Sequence, residues 1–272
     1  MQIRTGRMVA LAGGHNGPVQ TPTPSQRGMS RADTWLQIVL VLGVSLGASA
    51  VYAVLDLAEV LMRSSLADTT TTLNRPLSSV PLIDALRQLT GIGFALVPVL
   101  LALYLMAGVA RGIPGVLCRI GVDGRRPVWD TLWGMGLFAV MGGGTLVLYQ
   151  AGRSLGITAQ ITTSTMEQTW WAVSLLALSA LRHSIVEEMI VVAFLCERLR
   201  SLGWSWWPVA VASAVVRASY HLYQGFGPAL GNLVMGLVFV WLYRRGGRLM
   251  PLLIAHALLD TAGFLAPQLL AG

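Results

Sequence analysis

Two adjacent glutamates, Glu187 and Glu188, stand inside a run of apolar residues that extends from Trp170 to Ala180 before them and from Met189 to Leu195 after them. An ionised carboxylate at the centre of a membrane helix costs about 2.5–3.5 kcal/mol. Two neighbouring carboxylates also repel each other, so at least one must keep its proton or gain a partner. The pair therefore constrains the fold: other segments must bring polar groups to meet it inside an apolar bundle.

The composition agrees. The chain is 54% hydrophobic and only 11% charged, against about 25% charged residues in a soluble domain, and its mean hydropathy is +0.65. These values imply an all-α polytopic transmembrane helical bundle. All the basic side chains are arginine, and the net charge is +7. Arginines that gather in the loops on one side are the positive-inside signature of a membrane protein. No clustered basic face is present, which argues against a nucleic-acid partner. Cys118 and Cys196 are far apart and form no metal-type spacing, so both are expected to be free thiols.

Residues 1–33 read as a flexible cytoplasmic tail rich in Gly, Pro, Thr and Gln. Residues 34–169 read as N-terminal transmembrane spans at 35–62, 91–110 and 128–149, with an interfacial amphipathic helix at 81–90 whose Asp84 and Arg87 face water. Gly142-Gly143-Gly144 is a weak point in the third span. Residues 170–272 read as a second membrane domain, which opens on the fourth span at about 169–196. Span five opens near 204–208, where Ser205 is a candidate cap and Pro208 fits a first turn. It ends at the breaker Gly225-Phe226-Gly227-Pro228. Spans six and seven cover 229–243 and 251–270. The total is about seven spans, with eight as the alternative. The arginines put the N-terminus inside, in a cell membrane, with residues 111–127, 197–203 and 244–249 on the same side. Trp129, Trp133, Trp204, Trp206, Trp207 and Trp241 then form an inner aromatic belt, with Trp170 and Trp171 on the other side.

The last four segments carry three pairs of polar residues spaced four apart, which share a helix face: His183 with Glu187, Arg217 with His221, and His256 with Asp260. Any one pair could be a structural hydrogen bond. Three pairs in a chain with so few charges point to a functional site. A carboxylate beside a neutral histidine can take a proton from water, and a second histidine can donate to a developing oxyanion. The same groups could hold zinc, with Glu187, His221 and His256 as ligands, although neither HExxH nor GxSxG occurs.

At these residues the sequence resembles the CPBP family, which includes CAAX prenyl protease 2 and the Abi bacteriocin-processing and immunity proteins. The family motifs are EExxxR, FxxxH and HxxxN or HxxxD. Here they read Glu187-Glu188-Met189-Ile190-Val191-Val192, Arg217-Ala218-Ser219-Tyr220-His221 and His256-Ala257-Leu258-Leu259-Asp260. The resemblance covers roughly residues 170–270. It implies an intramembrane endopeptidase in which Glu187 and His221 activate water, His256 and Asp260 steady the oxyanion, and Glu188 is a supporting acid. A glutamate–histidine mechanism requires no metal, while the family's metalloprotease label leaves zinc possible. The implied partners are a membrane-associated peptide, of prenylated, leader or signal type, and the lipid bilayer.

Two positions depart from the pattern. Val192 replaces the motif-one arginine, and Arg217 replaces the motif-two phenylalanine. Arg217 is therefore expected to pair with Glu188 or Glu187 from the neighbouring helix, with His183 in a supporting place. A non-catalytic immunity or scaffold protein is one alternative. A proton-coupled transporter is another, and it predicts internal repeats that the sequence does not display. Depth also poses a problem. At a rise of 1.5 Å per residue, His221 lies roughly 20 Å beyond Pro208, whereas His256 lies roughly 8 Å beyond Pro251. Helix five must tilt, start beyond the inner surface or break early.

Overall fold

Four helical stretches are long and apolar enough to cross a membrane: Arg31–Arg63, Pro81–Ala107, Pro127–Ser154 and Phe226–Gly246. They belong to a computed structural model that describes residues 29–162 and 171–270, without the side chains of 108–111 and 266–270. The expected tail thus lies outside the described residues, save for its last few, which begin the first helix. Residues Arg31–Gly272 form one unit.

Helix α1 (Arg31–Leu42) continues through a π segment at Gly43–Gly47 into α2 (Ala48–Arg63). Helix α3 (Pro81–Ala95) leads almost directly into α4 (Val97–Arg119), and α5 is Pro127–Ser154. Proline occupies the first turn of α3, α4 and α5, where its missing N–H has no partner to lose. Helix α6 (Ala172–Glu187) passes through a second π segment, Glu188–Phe194, into α7 (Leu195–Ser201). Helices α8 (Trp206–Ser219), α9 (Phe226–Gly246) and α10 (Met250–Leu270) follow. Val39, Tyr52, Phe94, Val140 and Val147 are all more than half exposed. Helices that present such faces need an apolar surround, which lipid supplies.

Several boundaries differ from the sequence reading. Residues 81–90 are no separate interfacial helix, because the helix runs on into the span. Asp84 is buried, and its Oδ1 accepts the N–H groups of Leu77 and Ser78 at 2.5 and 3.2 Å. The acid thus tethers the preceding loop instead of facing water. Helix α4 extends to Arg119, into what reads as loop. The glycines at 142–144 do not break α5. A side chain at Gly142 would touch Leu259, and one at Gly134 would meet Ile254 at 2.6 Å. Glycines on this helix admit α10 at close range. Span six is a full 21-residue helix. Ser205 stands at the start of α8 but makes no side-chain cap. Both cysteines are free thiols.

The π segment lies at the centre of the bundle. Val191, Val192, Ala193 and Phe194 are each 0% exposed, and α4, α7, α8 and α9 surround them. Two hydroxyls fix their neighbours to this axis. Ser213 on α8 donates to the Val191 carbonyl at 2.9 Å, and Ser184 on α6 donates to the Leu253 carbonyl of α10 at 2.7 Å.

One face carries a small sheet in which β1 (Thr70–Thr72) pairs in parallel with β2 (Gln160–Thr162), Thr71 opposite Ile161. Thr158 bridges to Gly225, whose φ of 103° suits glycine. Gly152 and Gly227 close around the Thr158 side chain so tightly that a Cβ at either would fall about 2 Å from its hydroxyl. This contact fixes the loop that ends α8.

The opposite end is clamped by Arg248 in the α9–α10 connection. Its guanidinium donates to Asp123 at 2.8 Å and to both oxygens of the buried Asp130 at 2.8 and 2.7 Å. The Arg248 hydrogen bond holds the Asp123 carboxyl below its usual range, against the opposing effect of burial. A carboxylate with a depressed folded-state pKa stabilises the fold above its unfolded value, about 3.9, and loses that contribution as pH falls through the folded value. Detergent melts should therefore fall more steeply below about pH 4 in wild type than in Arg248→Gln. Parallel acid profiles would show that the clamp adds no stability.

Candidate active site

The acid pair sits where α6 gives way to the π segment. Single-turn π insertions are frequent at functional sites because they re-aim side chains. Glu187 is 5% exposed and Glu188 is 0%. Their partners come from α8 and α10. Arg217, fully buried, donates from Nη2 to Glu188 Oε1 at 2.7 Å and from Nη1 to Glu187 Oε2 at 3.3 Å. The same guanidinium lies 5.5 Å from the centre of the Phe239 ring. One arginine thus spans both acids, and the expected cross-helix pairing forms with both glutamates at once. Val192, at the position of the family's arginine, is a fully buried core residue.

His256 from α10 places Nδ1 2.6 Å from Glu188 Oε1. Glu188 as a carboxylate can only accept, so Nδ1 carries the proton. That fixes the function of Nε2, which faces Asp260 Oδ1 at 3.7 Å and Glu187 Oε2 at 4.0 Å. In the neutral ring Nε2 is a base, and in the doubly protonated ring it is a donor.

Two of the sequence pairs regroup. His183 does not bond to Glu187, its same-face neighbour. Its Nδ1 lies 3.7 Å from Asp260 Oδ2, and its ring centre is 5.9 Å from that of Phe264. Arg217 and His221 part company because α8 ends at Ser219. Beyond Ser219 the chain leaves the α-helix and turns through a short 3-10 segment, Leu222–Gln224. His221 Nδ1 is buried and has no hydrogen-bond partner among the described residues.

Tyr220 is the residue missing from the sequence reading. Its hydroxyl donates to Glu187 Oε2 at 2.8 Å, and its ring centre lies 4.8 Å from that of His221. All the bonds that the described residues make to Glu187 fall on Oε2, which leaves Oε1 for another partner. A Tyr220→Phe substitution should lower stability by roughly 1.5–3 kcal/mol, the usual value of a hydrogen bond to a charged group. Denaturation of purified protein measures it, and an unchanged melt would mean that Arg217 alone holds Glu187.

The zinc set of Glu187, His221 and His256 does not assemble. Among the described residues no group of three His, Cys, Asp or Glu side chains is placed to hold a metal. A metal cation there would also share the acids with the Arg217 guanidinium.

Residues 169–262 match the model of the Rce1-like family, described as type II CAAX prenyl endopeptidase Rce1-like. The matched segment contains Glu187, Glu188, Arg217, Tyr220, His221, His256 and Asp260. It supports the CPBP-family resemblance carried by the three motifs and points to a protease in an integral membrane setting. No curated protein and no solved structure matches the chain.

Proposed function

We propose that this Rce1-like chain is an intramembrane endopeptidase that hydrolyses a peptide bond of a membrane-associated substrate, a prenylated, leader or signal-type peptide, using water activated by Glu187 and His221. The observation that carries the reading is the division of labour between the two acids. Glu188 is held by Arg217 and His256 deep in the bundle, while Glu187 keeps Oε1 clear of the bonds that tie Oε2.

Water gives a proton to Glu187 Oε1 as its oxygen bonds to the substrate carbonyl carbon. The carbonyl electron pair moves onto oxygen, where a proton on His256 Nε2 stabilises it. The C–N bond then breaks, its electron pair leaves on nitrogen, and nitrogen takes the proton held by Glu187. The products are a carboxylic acid and an amine. His221, whose buried Nδ1 has no partner among the described residues, is assigned to hold the water, and Asp260, 3.7 Å from His256 Nε2, to orient that nitrogen. Arg217, Tyr220 and Glu188 are positioning residues. The loop arginines favour an N-terminus on the cytoplasmic side of a cell membrane. Helices α6–α7, α8 and α10 make up the remaining crossings of a seven-span topology.

The test is cleavage of a hydrophobic peptide library by the purified protein in proteoliposomes. Cleavage that disappears in both Glu187→Gln and His221→Ala supports the reading. Ion flux without cleavage, or cleavage indifferent to both substitutions, overturns it. Metal analysis of the active wild type reports any bound zinc.

A further inference from the structure

Arg182 lies on α6, five residues before Glu187 and next to His183, in the segment that forms the site. Its surroundings are unusual for an arginine in an apolar helix. It is partly buried, its Nε is enclosed without a hydrogen-bond partner, and among the described residues it has no ion pair. Its hydrogen bond is a long one, from Nη2 to Ser179 Oγ at 3.5 Å. Ser179 in turn donates to Asn74 Oδ1 at 3.2 Å. Asn74 has a φ of 50° in the loop after β1. An unpaired guanidinium inside a membrane protein is costly; Glu187 and Asp260 attract it across space, but neither forms an ion pair with it. Asp260 is engaged with His183 and His256, and Glu187 is engaged with Arg217 and Tyr220.

The helix rise places Arg182 about 7.5 Å along α6 from Glu187, on the side of the site that bears the Asn74 loop. A guanidinium is a rigid fork of donors matched to a carboxylate. We propose that Arg182, with Ser179 and Asn74 behind it, is a specificity-determining residue that binds a carboxylate of the substrate close to the scissile bond. The carboxylate comes either from the end of the peptide chain or from an acidic side chain. The assignment rests on the endopeptidase reading above. It adds a charge requirement that the hydrolytic residues do not impose.

The experiment compares wild type, Arg182→Gln and Arg182→Lys in proteoliposomes, using a cleaved library peptide in three forms: free C-terminal acid, C-terminal amide, and amide with a glutamate introduced beside the cleaved bond. The expected result in wild type is a KM about 10- to 100-fold higher for the plain amide than for a carboxylate-bearing form, the range of a charge-assisted hydrogen bond. Recovery by the free acid identifies a chain end, and recovery by the glutamate peptide identifies a side chain. Arg182→Gln should raise KM for the carboxylate-bearing peptide to the amide level with kcat nearly unchanged, and Arg182→Lys should recover part of the loss. Equal KM values for all three peptides in wild type overturn the proposal while leaving the endopeptidase reading intact. A fall in kcat alone in Arg182→Gln overturns it too, by assigning the residue to support of the fold. Absence of cleavage of every library peptide by wild type overturns the endopeptidase reading and this assignment with it.

Discussion

Arg217→Ala is expected to leave little folded protein, and none that is active. The substitution removes the cation that spans Glu187 and Glu188 and leaves two adjacent buried carboxylates with no compensating charge. Removing one partner of a buried ion pair typically costs about 3–5 kcal/mol, and here one removal exposes two acids. Arg217→Lys should fare only slightly better, because an ammonium cannot present the planar fork that reaches both acids. The check is yield and monodispersity in detergent, together with a compensating triple variant in which Arg217→Met is joined to Glu187→Gln and Glu188→Gln. Neutralising the whole cluster should recover folded protein without activity. An Arg217→Ala protein with wild-type yield and melting behaviour would mean that the acids do not carry their charge together in the folded bundle.

Glu187→Gln should do the reverse. The amide keeps the shape of the side chain and can still accept from Tyr220, so the protein is expected to fold. Turnover should drop by about 10²–10⁴-fold, the typical contribution of a positioned general base. Glu188→Gln is expected to damage stability along with rate, since its Oε1 anchors both Arg217 and His256. Rate constants at saturating peptide beside melting curves separate the two. If the two variants lost equal rate at equal stability, the division of labour between the acids would not hold.

The buried acid pair, the need for a cation from another helix and the gathering of the three motifs were all legible in the residues. They follow from the cost of charge in an apolar medium, which is local and independent of detailed packing. Arg217 is the clearest case: its odd position in motif two, set beside the apolar Val192, signalled a relocated counter-charge. Tyr220 was not legible. On a continuous helix it would point about a quarter-turn or more away from His221. Only because α8 stops at Ser219 do the two rings come within 4.8 Å. The breaker Gly225 was visible, but not that the helix would end several residues ahead of it. The π segment was equally hidden, because an apolar run offers no periodic mark of one inserted residue. His183 was assigned by helix periodicity to Glu187, and the pairing failed because Asp260 on α10 approaches it from outside that helix.

The brevity of α8 has a physical consequence for the surrounding lipid. Its 14 residues rise only about 21 Å, well short of a hydrocarbon layer of about 30 Å. Trp207 and Val215 on its outward face are more than half exposed. Acyl chains beside this helix must compress or tilt to match it, a hydrophobic mismatch that thins the bilayer locally. Thinning brings the headgroup layer, and with it water, nearer to Glu187. Turnover in vesicles of shorter-chain phosphatidylcholine should accordingly exceed that in longer-chain vesicles at equal protein content. A rate that does not change with chain length would mean that water reaches Glu187 by a route independent of the bilayer.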